Sequence, residues 1–242
     1  MFGIFIQCRM TSSRLPCKAM LDLNGETLLS RLINRVKLSN YPIYILTSDD
    51  RSDDVIERVA SNLGVKGVFR GSLNNVRDRF FQAAKFFNIN YIVRVTADNP
   101  LTEPVFISEA FQNLESGANY TRVYLDRCPE GTNVEGFTFS ELEKSVKLDI
   151  GNKDLYDQEH VTPRIIERNI GLKNFLEFES RLKLPLNVKD YSFTVDNIED
   201  YLKILQIYSF LDSKLFESSN LLDQIMESID SGKIQIAVGR NH

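Results

Sequence analysis

The chain has 242 residues, 43% of them hydrophobic, enough apolar material for one substantial domain with a proper core and no need of a disulfide or metal staple. Its 29 Lys+Arg against 33 Asp+Glu leave a formal net charge of -4, so no general attraction to nucleic acid or to an anionic membrane is expected. Three cysteines without CxxC spacing and only two histidines argue against a disulfide framework, a zinc site or a two-histidine metal centre, and any Ser-His-Asp triad would have to use His160.

Ile4–Gln7 reads as a first strand. The apolar opening Phe2–Ile6 follows no cationic stretch, and no later run approaches the roughly 18 residues of a membrane span, so a cytoplasmic protein is expected. Further strands are predicted at Ile43–Leu46, Gly67–Arg70 and Tyr91–Val95. Between them, Leu28, Leu29, Leu32, Ile33 and Val36 form one helical face, Val55, Ile56, Val59, Ala60 and Leu63 a second, and Val76, Phe80, Ala83, Ala84 and Phe87 a third. Strands separated by single helices predict right-handed crossovers and a parallel sheet covered on both faces, an α/β nucleotide-binding architecture.

From about Asn119 the rhythm changes. Short strands are expected at Tyr120–Tyr124 and Asn133–Phe139, and helices near Phe139–Asp149 and Gln158–Asn169. Tyr191–Val195 reads as a returning strand, followed by a helix bearing Ile198, Leu202 and Leu205 and a last one bearing Leu221, Leu222, Ile225, Met226 and Ile229. With no repeat, low-complexity tract or linker, the expectation is one domain over 1–242 with an acceptor or dimerisation subregion at about 119–190.

In open α/β sheets, ligands sit outside the carboxyl ends of the strands, which directs attention to the loop Gln7 to Lys18. Arg9 and Arg14 offer forked donors, Lys18 a point charge, and Thr11, Ser12 and Ser13 hydroxyls beside backbone N–H groups, a set that suits a polyanion such as a triphosphate. The plainer reading is a solvated basic loop, or ion pairs with Asp22 and Glu26. The spacing is neither a Walker A motif nor a dinucleotide G-x-G-x-x-G.

Gln7-Cys8-Arg9-Met10-Thr11-Ser12-Ser13-Arg14-Leu15-Pro16-Cys17-Lys18 resembles the signature Q-A-R-M-x-S-x-R-L-P-x-K of the cytidylyltransferases of the spore-coat polysaccharide (SpsF) type, relatives of the CMP-sialate and CMP-Kdo synthetases. Later segments resemble that family in the same order: Thr47-Ser48-Asp49, Phe69-Arg70-Gly71-Ser72 with Asp78-Arg79, Arg94-Val95-Thr96-Ala97-Asp98-Asn99-Pro100, Val134-Glu135, Glu159-His160-Val161-Thr162-Pro163 and Thr194-Val195-Asp196. The resemblance implies a Rossmann-like, three-layer nucleotide-diphospho-sugar transferase (GT-A-like) fold with a mostly parallel central sheet. It implies transfer of CMP from CTP to a small-molecule acceptor, a sugar acid or related compound, with release of pyrophosphate, in surface-glycan synthesis. It also allows a homodimer.

By the same resemblance, Lys18, Arg14 and Arg9 are the catalytic cations, and Asp98 and Asp196 hold Mg2+, which needs only one or two carboxylates beside substrate phosphates. Gln7, Met10, Ser12, Thr47, Ser48, Asp49, Arg70, Ser72, Arg79 and Thr96 are expected at the nucleotide, and Glu135 and His160 at the acceptor. The family usually has glycine where Thr11 and Cys17 stand, residues that admit positive φ or close approach to phosphate. It also tends to show Gly-Leu-Asp-Val-Glu-Val where this chain has Gly131-Thr132-Asn133-Val134-Glu135-Gly136.

Structural alternatives stay open for several of these. Asp98-Asn99-Pro100 is good turn chemistry, Asp196-Asn197 a good helix start, and Thr47-Ser48-Asp49 lies where a helix cap is needed. Arg77, Asp78 and Arg79 suit surface ion pairs, and Asp53-Asp54 and Glu141–Lys147 read as solvated helix faces. Two rival functions also remain: a glycosyltransferase using a nucleotide-diphosphate sugar, though Asp98-Asn99-Pro100 is not its D-x-D, and a non-catalytic nucleotide sensor.

Overall fold

In a computed structural model, residues 1–147, 159–182, 184–211, 215–216, 218 and 221–236 are described. The four expected strands pair in parallel: β1 (Phe2–Gln7) lies between β2 (Ile43–Ser48) and β4 (Tyr91–Thr96), and β3 (Gly67–Gly71) flanks β2. The helices between them, α1 (Leu28–Lys37), α2 (Asp54–Asn62) and α3 (Val76–Phe87), bury the faces read from their periodicity. A fourth helix, α4 (Pro104–Glu115), was not expected. Glu103 caps it by accepting from Val105 N–H, Pro104 opens it, and Phe106, Ile107, Ala110, Phe111 and Leu114 are buried.

β5 (Tyr120–Val123) and β6 (Glu135–Thr138) follow, and β6 runs antiparallel to both β4 and β5. An unexpected β7 (Phe175–Phe178) pairs parallel with β5, completing a seven-stranded, mostly parallel sheet in the order β3-β2-β1-β4-β6-β5-β7. The helix predicted near Phe139–Asp149 is described as α5 (Phe139–Lys147), its last two residues lying outside the described set. The helix predicted over Gln158–Asn169 is instead broken at Val161, where φ is +62°, and continues as α6 (Pro163–Asn169); Gln158 lies outside the described residues.

Tyr191–Val195 is not a strand of the sheet. It is an extended segment with one isolated bridge, Glu130 to Ser192, and its alternate residues Tyr191, Phe193 and Val195 turn into a separate core with α7 (Ile198–Phe210) and α8 (Leu221–Asp230). An extended apolar pattern therefore found its burial against helices rather than beside another strand. Two further cores cover the sheet. One includes Ile4, Ile6, Val93 and Val95 with residues of α1, α2 and α4, and the other includes Phe5, Ile92 and Phe137 with residues of α3, α5 and α6.

Candidate active site

The C-terminal ends of β1 and β4 lie side by side, with Gln7 opposite Thr96 in register. The loop that leaves β1 turns back on itself, since Met10 O accepts from Ser12 N–H at 3.1 Å and from Cys17 N–H at 2.9 Å. Cys17 occupies the left-handed region at φ +60°, ψ +18°, a conformation in which glycine carries no steric cost. Thr11, the other position where the family has glycine, is not among the positive-φ residues. A short 3-10 turn, Lys18–Met20, then carries Lys18 toward the ends of the strands.

Lys18 Nζ donates to Asp98 Oδ2 at 2.7 Å, to Asp196 Oδ1 at 3.1 Å and to Val195 O at 2.9 Å. Arg14 pairs with the same Asp196 oxygen at 3.0 Å. Asp196 reaches Asp98 because Val195 N–H donates to Asp98 O at 2.9 Å, so the two carboxylates belong to neighbouring, hydrogen-bonded backbones. Burial pushes the Asp98 carboxyl up, but the charge and hydrogen bond of Lys18, with a hydrogen bond from Thr96, outweigh it and hold the group below its ordinary value.

These residues line one cleft of about 590 Å³. Of the residues singled out in the sequence, Gln7, Arg9, Ser12, Arg14, Lys18, Arg79, Thr96, Asp98, His160 and Asp196 face it, whereas Met10, Thr47, Ser48, Asp49, Arg70, Ser72 and Glu135 do not line it. Most of the second group support the first. Thr47 and Ser48 donate their hydroxyls to Asp53, whose other oxygen takes Met10 N–H at 2.7 Å, so Asp53 is wholly buried and not part of a solvated helix face. Glu141 is likewise buried, accepting from Lys144 and Asn169; among the neighbours of these two, Asp54 is exposed.

Arg70 donates to Ser48 O and Asp50 O at 2.9 and 2.7 Å and pairs with Asp54, clamping the turn after β2. Asp49 is exposed, its N–H bonded to Gly71 O, and Ser72 Oγ accepts from Asn75 N–H. Arg79 is buried rather than a surface ion-pair partner, with Ser72 O accepting from Nη2 at 2.7 Å. Burial pushes its guanidinium down to about 10, which leaves it charged at neutral pH.

Glu135 sits behind the cleft. It accepts from Arg94 Nη1 and Tyr120 Oη, both at 2.6 Å, and from Thr162 Oγ1 at 3.1 Å. Arg94 in turn donates through Nε to Gln7 Oε1 at 2.9 Å, fixing that amide at the mouth of the site. Arg94, Glu130 and Asn133 line the cleft without having been singled out; for Arg94 the signal was there, since positions 94, 96 and 98 alternate onto one face as a strand leads out to its end.

Arg9 forms an ion pair with Glu159, beside His160, which is exposed on one side and whose imidazole is lowered by partial desolvation on the other and by the charge of Arg94. Cys8 lines the cleft but is buried, and burial raises its thiol far out of the reactive range. Gly131 closes the floor at φ +83°: a Cβ there would meet Thr194 N at 2.6 Å, so only glycine lets the 128–134 loop pack on the segment that carries Asp196.

Lys18 and Arg14 thus converge on two aspartates at the carboxyl edge of the parallel strands, with Arg9 nearby on Glu159. Among the described residues no group of three or more His, Cys, Asp or Glu side chains forms a self-sufficient metal site. Two carboxylates suit a hard cation that takes its remaining oxygens from phosphate and water. No described helix is long and apolar enough to cross a membrane.

Comparison with known proteins bears on family and fold. The cytidylyltransferase family profile matches residues 4–228. An uncharacterised protein of Methanocaldococcus jannaschii is 36% identical over 86% of this chain and 83% of its own length. The spore coat polysaccharide biosynthesis protein SpsF of Bacillus subtilis is 33% identical over 84% of each chain. Among solved structures, a cytidylyltransferase from Leptospira borgpetersenii superposes with a TM-score of 0.82, at 28% identity and 99% coverage of both chains.

Proposed function

The chain belongs to the cytidylyltransferase family and is a CTP-dependent nucleotidyltransferase, and from that premise we propose that it transfers CMP to the hydroxyl of a sugar acid for surface-glycan synthesis. The observation that carries this reading is the convergence of Lys18 and Arg14 on Asp98 and Asp196 at the carboxyl edge of the sheet. Nucleotidyl transfer asks the protein chiefly to position phosphates and to neutralise charge. Lys18, Arg14 and Arg9 bind the phosphates, and Gln7, Ser12, Arg79 and Thr96 border the nucleotide. The acceptor hydroxyl attacks the α-phosphorus, forming the new P–O bond as the bond to pyrophosphate breaks. Mg2+ bound through Asp98 and Asp196 would supply neutralisation of the phosphate charge.

The acceptor end is assigned to the part of the cleft built from 125–133 and 159–160. There Glu135 acts through Arg94, and neutral His160 offers a hydrogen bond rather than a charge. Thermal unfolding with CTP, UTP, GTP, ATP or diphosphate sugars, each with and without Mg2+, tests the nucleotide, because a ligand selective for the folded state raises its stability by mass action. A shift selective for CTP and strengthened by Mg2+ is expected, followed by pyrophosphate release on adding sugar acids. A shift confined to diphosphate sugars would replace this reading with a glycosyltransferase.

A further inference from the structure

The ammonium of Lys18 stands between the two carboxylates that the proposed reaction assigns to the divalent cation. Its distances of 2.7 Å to Asp98 Oδ2 and 3.1 Å to Asp196 Oδ1 make it a cation shared by both, and Val195 O at 2.9 Å takes a third hydrogen bond. Arg14 adds a second positive charge on Asp196 at 3.0 Å. A divalent ion bound at Asp98 Oδ2 and Asp196 Oδ1 would require metal–oxygen contacts of about 2.0–2.1 Å, which displaces the ammonium from those same two oxygens.

We infer that Lys18 is a competitor for the metal position, so that the divalent cation binds with or after the nucleotide's phosphates and hardly at all without them. This rests on the functional reading given above and extends it from which groups bind to how their binding is coupled. Lys18 has one charge and two possible sets of partners, the aspartates or a polyphosphate. Phosphate oxygens that draw Lys18 and Arg14 away leave the aspartates without their counter-charges, and the phosphates then supply the missing ligands. Coupling of this kind is reciprocal: nucleotide strengthens metal binding by the factor by which metal strengthens nucleotide binding.

Three features of the site carry the inference together. The pair is part-buried, so solvent screens the competing charge less than at an open surface. Val195 O, a neutral acceptor on the same backbone as Asp196, gives the ammonium a seat of its own rather than a chance approach to one carboxylate. No third acidic, His or Cys ligand among the described residues offsets the lysine's charge.

The test uses the whole chain and Mn2+ as probe, counting the free aquo ion by electron paramagnetic resonance with no nucleotide present. Wild type is expected to bind Mn2+ weakly, and Lys18→Met, which keeps the unbranched stem and removes the charged end, about tenfold more tightly or better. Lys18→Gln serves as a second neutral variant should Lys18→Met fail to fold, and melting by circular dichroism shows which is folded. Adding Asp98→Asn to the neutral variant should abolish the gain. Equal Mn2+ affinity in wild type and the folded neutral variant overturns the inference, as does a gain that survives Asp98→Asn. Failure of wild type to respond to CTP with Mg2+ would instead remove the functional reading, while the Mn2+ comparison would still decide whether lysine competes for the carboxylates.

Discussion

The backbone N–H of Met10 donates to Asp53 Oδ1 at 2.7 Å, and through that contact the cation-bearing loop after β1 is tied to a carboxylate that follows β2. The second oxygen of Asp53 accepts from Thr47 Oγ1 at 2.9 Å and from Ser48 N–H at 3.0 Å, and Ser48 adds its hydroxyl. One wholly buried side chain therefore satisfies donors from the loop after β1 and from the end of β2.

Asp53→Ala should lower stability by roughly 3 kcal/mol in urea unfolding, because it leaves several buried donors without an acceptor. Asp53→Asn, which keeps a side-chain oxygen, should cost less. A loss below about 0.5 kcal/mol for the alanine variant would show that water replaces the carboxylate at no cost.

The left-handed backbone of Cys17 sets up a second comparison. Cys17→Val puts a β-branched side chain where L residues are already strained and should cost a further 1 kcal/mol or so, whereas Cys17→Gly removes the strain and should hold or raise the melting temperature. Thermal unfolding of the pair decides it: a glycine variant less stable than wild type would mean that the cysteine side chain contributes more than its backbone costs.

Arg35 and Glu103 form a buried ion pair at 2.8 Å that ties α1 to the start of α4, while Arg35 also donates to Ser218 O. Burial raises the Glu103 carboxyl, and Arg35 only partly offsets it. Arg35→Met alone should destabilise by about 3–5 kcal/mol through the unpaired carboxylate it leaves, and adding Glu103→Gln should recover a sizeable part. Because the folded pKa of Glu103 is raised, its contribution to stability is fully present below the unfolded value and is lost as pH rises through the folded one. The single variant, with Arg35 gone, should therefore gain stability relative to wild type as pH falls. A double variant no more stable than Arg35→Met would locate the cost in packing instead of charge.

His160 is held below its ordinary 6.5 by burial first and then by Arg94, against the opposing charges of Glu159 and Glu135. Since the depressed group is neutral when folded, the stability it confers is present above pH 6.5 and is lost as pH falls from there through the folded value. Imidazole nitrogen shifts followed against pH should give a midpoint below 6.5 for His160, rising in Arg94→Gln. With only two histidines in the chain, a single His160→Gln variant assigns the signal. A midpoint at or above 6.5 in wild type would mean that solvent and the two glutamates outweigh the burial and Arg94.

The parallel half of the sheet was legible because period and spacing are local: strands β1 to β4 and helices α1 to α3 each announce their buried face within a dozen residues. The loop from Gln7 to Lys18 was equally readable, since bunched cations at a strand end have few structural uses. Helix α4 is not expected from the sequence although Glu103 and Pro104 mark its start, because its apolar positions follow closely on the turn Asp98-Asn99-Pro100. Strand β7 carries no periodic signature in four residues and exists through its pairing with β5.

By itself, then, the sequence determined the fold class, the order of the central elements and the cation-bearing loop that lines the cleft. The folded chain alone decided which polar residues face the cleft and which hold it up. Thr47, Ser48, Arg70 and Glu135 are spent on Asp53, on backbone carbonyls and on Arg94, while Tyr191–Val195, with the periodicity of a strand, docks on α7 and α8 and delivers Asp196 to Asp98. Hydrophobic period states that a residue is buried or directed to one face; which partner satisfies a buried donor or charge depends on chain segments tens of residues away, and only their packing brings that partner within hydrogen-bond range.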